Sequence, residues 1–267
     1  MSMSESKTDV LVVGGGAAGM MAAGTAAALG ARVALLERGP RLGRKLRITG
    51  KGRCNVTNDC PPEEVLRNIP RNGRFLYSAL EAFPPDAVQS FFTELGCPVK
   101  TERGGRVFPC SDRAASVVEA LEAWLAANGV RIATGVRVRR LLTAGGRVSG
   151  VAADGGAWAA PRVILATGGC SYPQTGSTGD GYRLAEAAGH TIVEPRGSLV
   201  PLESPDGDCR EMAGLSLRNV AVRLRSARGK VVYEDFGELL FTHFGLSGPT
   251  ILSASAHMDR RERYTVD

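Results

Sequence analysis

The feature that most narrows the possible folds is a glycine-rich turn, Gly14-Gly15-Gly16-Ala17-Ala18-Gly19, set directly after the apolar run Val10-Leu11-Val12-Val13. A continuous apolar run suits a strand buried on both faces of a parallel sheet. Thr8 to Val13 therefore reads as a strand, Ala17 to Leu29 as a helix of small residues ended by Gly30, and Arg32 to Glu37 as a second buried strand. Strand, turn, helix and strand make the unit expected around a bound dinucleotide. Gly14 allows the tight turn, Gly16 lets a diphosphate approach the backbone, and Gly19 lets the helix pack on the strand. Ala17 and Ala18 open the helix, whose free N–H groups and partial positive charge attract phosphates. Glu37 ends the second strand, where its carboxylate can accept hydrogen bonds from ribose hydroxyls. Three glycines by themselves would be a mere tight loop, but the strand, helix and acid in register favour a nucleotide site. The motif does not choose between FAD and NAD. Glu37 disfavours a 2′-phosphate, although Arg38 is adjacent, and no second Gly-x-Gly-x-x-Gly follows.

Composition sets outer bounds. A chain of 267 residues, 43% hydrophobic and 22% charged, can bury a sizeable core as one large domain or two smaller ones. The net charge of +6 and pI near 9.2 suit a phosphate-bearing cofactor or nucleic acid. The arginines are scattered and no aromatic residues interleave the basic stretch, so no stable nucleic-acid partner is expected. Six cysteines, at 54, 60, 97, 110, 170 and 209, form no Cys-x-x-Cys pair, so no metal is expected and a reducing cytoplasm fits. Met1 to Asp9 is polar and resembles no signal peptide. Val10 to Ala31 is uncharged and long enough to span a bilayer, but its six glycines fit a strand, a turn and a helix instead.

Further along, Gly39 to Asn58 has no regular period and reads as loop with at most a short helix. Pro61 to Gly96 reads as helical pieces broken at Pro70-Arg71-Asn72-Gly73 and at Pro84-Pro85. Ser116 to Asn128 is a helix closed by Gly129. Arg131 to Ala133 and Val136 to Leu142 are strands, and Gly145-Gly146 turns the chain into Val148 to Ala153. Pro161 to Ala166 is a further buried strand running into Thr167-Gly168-Gly169, and Gly181 to Ala188 a helix. From Glu194 prolines interrupt the pattern. Leu215 to Leu224 then alternates, Ala227 to Lys230 turns, and Ser247 is placed to cap a short helix over 250–257. Arg263 to Val266 reads as a strand cut short. The expected organisation is α/β: a Rossmann-like dinucleotide-binding domain over 1–193 and a β-rich domain over 194–267.

Three segments carry a wider likeness: Gly43 to Asn55, Arg106-Val107-Phe108-Pro109, and Ala166-Thr167-Gly168-Gly169 through Gly176-Ser177-Thr178-Gly179-Asp180-Gly181. With Phe241-Thr242-His243-Phe244-Gly245-Leu246-Ser247-Gly248-Pro249 they resemble the aminoacetone oxidase-like (BaiN-type) family of bacterial NAD(P)/FAD-dependent oxidoreductases. The resemblance implies a Rossmann-like FAD domain with an inserted β-rich domain facing the substrate. It implies FAD lying extended, with its adenosine end near Glu37, Arg38 and Val138. The flavin end would lie near Lys45, Gly52, Cys54, Asn55, Thr167, Gly168 and Gly169. The expected chemistry is hydride transfer between flavin and a small organic substrate, with NAD(P)H or oxygen as the second redox partner. A flavoprotein acting on or docking to nucleic acid, and an inactive FAD-binding fragment, are the alternatives. Read from the residues, Gly43 to Asn55 could equally be a solvated basic loop, and Cys54 a small buried thiol. His243 is the candidate catalytic residue, able to move a proton while the flavin moves a hydride, or else a histidine that structures its turn. Tyr172 has the same two readings. Family members carry a further C-terminal stretch that returns to the FAD domain, so this chain is expected to be a fragment of that architecture.

Overall fold

The structure, a computed structural model, describes residues 8–259 and 261–267. The reading of Met1 to Asp9 lies, for residues 1–7, outside the described residues. The chain divides into two compact units: residues up to Asn68 with Gly73–Val193, and Ile69–Asn72 with Glu194–Asp267.

In the first unit, β1 (Val10–Val13) leads through the glycine turn into α1 (Ala17–Ala28) and β2 (Val33–Glu37). β1 is buried along its whole length, as is β2 up to Leu36. Full burial of side chains such as Leu11 and Leu35 stabilises by roughly 1.5–3 kcal/mol each. Gly14 has φ 109°, and a Cβ on Gly19 would sit 1.8 Å from the Gly14 carbonyl oxygen, so the helix reaches the strand only because both are glycine.

The chain continues through β3 (Thr57–Asn58), α2 (Pro62–Arg67), α3 (Tyr77–Ala82), α4 (Pro85–Glu94), β4 (Val99–Glu102), β5 (Arg106–Pro109) and α5 (Ala114–Ala127). Then come β6 (Arg131–Thr134), β7 (Val138–Ala144), β8 (Arg147–Ala153), β9 (Gly156–Ala159), β10 (Val163–Leu165) and α6 (Asp180–Ala187). A parallel sheet has the order β10-β1-β2-β6, with Leu11 opposite both Val163 and Ala34. This is the Rossmann-type α/β layout, with two small antiparallel sheets, β3-β5-β4 and β7-β8-β9, beside it. Three strands, β4, β5 and β9, give no sequence signal: each has four residues, β5 contains Pro109, and β9 is Gly-Ala-Trp-Ala. β10 departs from the expected buried strand. It lies at the sheet edge, which leaves Ile164 37% exposed.

The second unit contains β11 (Leu202–Glu203), α7 (Gly207–Glu211), β12 (Ser216–Ser226), β13 (Val231–Thr242), β14 (Gly245–Ser247), α8 (Pro249–Ser255) and β15 (Tyr264–Val266). Its sheet has the order β11-β14-β13-β12-β15, with every pairing antiparallel. Ser247 does not cap α8. It pairs with Leu240 in the sheet, and Gly248, at φ 98°, takes the cap position ahead of Pro249. The glycine can adopt a backbone there that serine disfavours. Ile69–Asn72 joins this unit, where Arg71 Nη2 donates to the Met258 carbonyl at 2.6 Å. Among the described residues no helix is long and apolar enough to cross a membrane.

Candidate functional site

The carboxyl ends of β1, β2 and β10 open into a cavity of about 620 Å³ in the first unit, within the range usual for cofactor sites. Ten of the residues expected to bind cofactor border it: Gly14, Gly16, Ala17, Ala18, Glu37, Arg38, Lys45, Val138, Thr167 and Gly168. Here β1 ends, and the Gly14 amide donates to the Leu36 carbonyl at 2.8 Å, which ties the turn to β2. The Glu37 carboxylate accepts from the Gly15 amide at 2.7 Å through one oxygen and from the Gly39 amide at 2.6 Å through the other. An ionised carboxylate has about four lone-pair sites, so capacity for ribose hydroxyls remains.

Gly16 shows the reverse of Gly19. Its φ of −82° and ψ of −172° are open to any residue, and a Cβ there would meet nothing within 4 Å. No protein contact requires a glycine at this position; the space beside it faces the cavity. α1 has no acid in its first turn and no side-chain cap, so its leading amides are left for a ligand anion.

Cations surround this space. Arg44 Nη2 donates to the Gln174 carbonyl at 2.7 Å, and Lys45 Nζ to the Ser171 carbonyl at 2.8 Å. Arg38 Nη1 donates to Asp180 Oδ2 at 2.7 Å and to Thr178 Oγ1 at 2.9 Å. Arg38 is thus engaged by protein side chains distant in sequence from Glu37. Burial pushes the Asp180 carboxyl up, but Arg137, Arg183 and Arg38 together hold it below the usual carboxylate range.

Five expected cofactor residues lie outside the cavity lining. Gly19 serves the helix–strand contact. Gly52 is exposed and kinked, at φ 85°. Cys54 is 2% exposed and packs in the core, where burial pushes its thiol up despite a hydrogen bond with Thr49. Asn55 is exposed beside β5, and the Gly169 carbonyl accepts from the Gly179 amide at 3.1 Å. The 46–52 segment is a kinked 3-10 turn anchored by its neighbour Arg53. That side chain donates to Glu102 at 2.8 Å and lies over the Phe108 ring at 4.0 Å. His243 is exposed on the turn between β13 and β14, its ring edge-to-face with Phe244 at 5.1 Å. It does not border the cavity of about 1470 Å³ in the second unit. Tyr172 is 60% exposed with φ 51°. Among the described residues no cluster of His, Cys, Asp or Glu could hold a metal ion.

Sequence reasoning passed over Arg44, Thr49, Arg137, Ser177, Asp180 and Tyr182, which also border the cavity. The stretch Gly176 to Gly181 was the available signal for Ser177 and Asp180; Arg137 stands at the start of an ordinary strand and carries none.

A strand, a glycine turn and a helix over a cavity closed by an acid define a dinucleotide-binding Rossmann protein. Residues 8–251 match the family described as HI0933-like protein Rossmann domain, and the chain belongs to this family, whose cofactor is FAD. The chain is similar to a 3-dehydro-bile acid delta(4,6)-reductase of Clostridium scindens, 38% identical over 92% of this chain and 59% of that protein. It is similar to a ribosomal RNA dihydrouridine synthase of Haemophilus influenzae, 32% identical over 96% of this chain and 63% of that protein. The chain therefore spans about three fifths of the length of these curated relatives. Among solved structures, the open conformation of a flavocytochrome c3 fumarate reductase shares the fold. Its TM-score is 0.55 at 21% identity, over 86% of this chain and 45% of that one.

Proposed function

We propose that the chain is the FAD-binding part of an oxidoreductase that moves a hydride between flavin and a small organic substrate. The observation that carries this reading is the open space beside Gly16, flanked by the uncapped start of α1 and by Glu37. The amides of α1 hold the diphosphate, and Glu37 holds the adjoining ribose. Val138 and Arg38 border the adenosine end, and Lys45, Thr167 and Gly168 the flavin end. Bound FAD would supply the hydride-transfer chemistry. The exposed imidazole of His243 is the candidate to carry the accompanying proton, a task suited to that side chain near neutral pH.

The names of the two relatives share one chemistry. A delta(4,6)-reductase of a 3-dehydro bile acid and a dihydrouridine synthase each reduce a carbon–carbon double bond conjugated with a carbonyl. We assign this chain the same class of substrate, an enone-like ring, with NAD(P)H as the electron source. A uracil in RNA is the second reading. It is favoured by the dihydrouridine synthases and by the basic segment Arg41 to Arg53, which carries no acid. The test is the visible spectrum of the purified chain, followed by anaerobic addition of NAD(P)H and then of a steroid dienone or a uridine-containing RNA. Flavin bands bleached by NAD(P)H and restored by the dienone are expected. Restoration by RNA alone would select the second reading, and a colourless protein that takes up no FAD would sink both.

A further inference from the structure

Arg38 follows the last residue of β2 and reaches partners far away in sequence, Thr178 at 2.9 Å and Asp180 at 2.7 Å. The pair is enclosed: the Arg38 side chain is 25% exposed and that of Asp180 12%, against 55% and 49% for the surface pair Arg139–Asp154. Wet pairs contribute little, whereas a shielded, charge-assisted pair holds its geometry. Asp180 also faces Arg137 at 3.5 Å and bonds Arg183 on α6. Arg38, Arg137 and Asp180 border the cavity at the end marked by Glu37 and Val138. The loop that carries the acceptors is itself held, since Ser177 is 6% exposed and the Gly179 amide donates to the Gly169 carbonyl. A side chain at Gly176 would come within 3.6 Å of Arg38 Nε, so the guanidinium runs along this loop.

We propose that Arg38, Thr178 and Asp180 form a clasp over the adenosine end of the cavity, with Asp180 as the positioning residue that fixes Arg38 in place. The clasp ties the end of β2 to the loop before α6. It therefore acts on release of an adenine dinucleotide more than on its capture. It also engages the cation that directly follows Glu37 in the chain, which withdraws one partner that a 2′-phosphate could use. The proposal rests on the FAD reading above.

The test uses the 267-residue chain. Release of FAD and of ADP is followed by stopped flow, and melting of the ligand-free protein by calorimetry. The double variant Arg38→Gln with Asp180→Asn removes one charge of each sign, so association should stay within about twofold while FAD and ADP leave roughly tenfold faster or more. Thr178→Ala keeps both charges and should speed release about fivefold; it decides the matter if the double variant does not fold. The matched surface pair, Arg139→Gln with Asp154→Asn, should change nothing. Unaltered release in the clasp variants overturns the proposal, as does a lowered melting temperature with release unchanged, which marks a merely structural pair. Wild-type protein that binds neither FAD nor ADP overturns the clasp together with the FAD reading. Binding with unchanged release overturns the clasp alone.

Discussion

Two glycines of the turn after β1, Gly16 and Gly19, are glycine for opposite reasons. At position 19 the protein itself leaves no room, because a Cβ would collide with the Gly14 carbonyl. At position 16 the protein leaves ample room, and only a ligand gives the missing side chain a purpose. The two should part under mutation. Gly19→Ala should destabilise the ligand-free chain by roughly 1–3 kcal/mol through overpacking, read from denaturant melts. Gly16→Val should cost at most about 1 kcal/mol, the difference between a fair and a poor helix cap, yet abolish flavin retention. Full flavin occupancy in Gly16→Val would remove the diphosphate from this turn. The sequence motif already gives the two glycines different roles, phosphate approach and helix packing; the structure adds the physical reason, which lies in what surrounds each Cβ.

At the scale of elements, the site depends on joints between segments far apart in the chain. Asp180 at the start of α6 meets cations that follow β2 and precede β7. Its carboxyl is held below the usual range by Arg137, Arg183 and Arg38, against the push of burial. A lowered folded-state value means that the native form holds its proton less tightly than the unfolded chain. The stability this contributes is therefore complete above the ordinary carboxylate value near 4 and fades as the pH falls through the lower folded value. Melting of ligand-free wild type and Asp180→Asn should differ at pH 7, with the gap narrowing as the pH falls below the ordinary carboxylate value; a gap independent of pH would contradict the ion-pair account. The kinked segment around Lys51 and Cys54 shows the limit of local reading. The family resemblance implies a place for it at the flavin end, whereas the residues also allow a small buried thiol at Cys54; in the structure Cys54 turns inward to the core and Arg53 to Glu102 and Phe108. No periodicity announces such a turn, because it is enforced by β4 and β5 packed beside it.

At the scale of the molecule, the two units are built differently. The first has two buried clusters, one on each face of its parallel sheet, anchored by residues such as Leu35 and Leu11. The second has a buried cluster of Val222, Leu239 and Ile251, and its sheet borders a cavity of about 1470 Å³. Amides of β12 and β13 should exchange with deuterium well before those of β1 and β2; equal protection would show a tighter second unit than its packing implies. What the sequence by itself determined is the strand, glycine turn, helix and strand from Val10 to Glu37, and the hairpins after Arg137 and Leu215. Each rests on neighbours close along the chain, so hydrophobic pattern and turn chemistry suffice to specify it. Only the tertiary structure decided that β10 lies at an edge, that Cys54 is core, and that Arg38 closes on Asp180. Those outcomes depend on contacts between segments up to 142 residues apart, which leave no periodic trace in either partner.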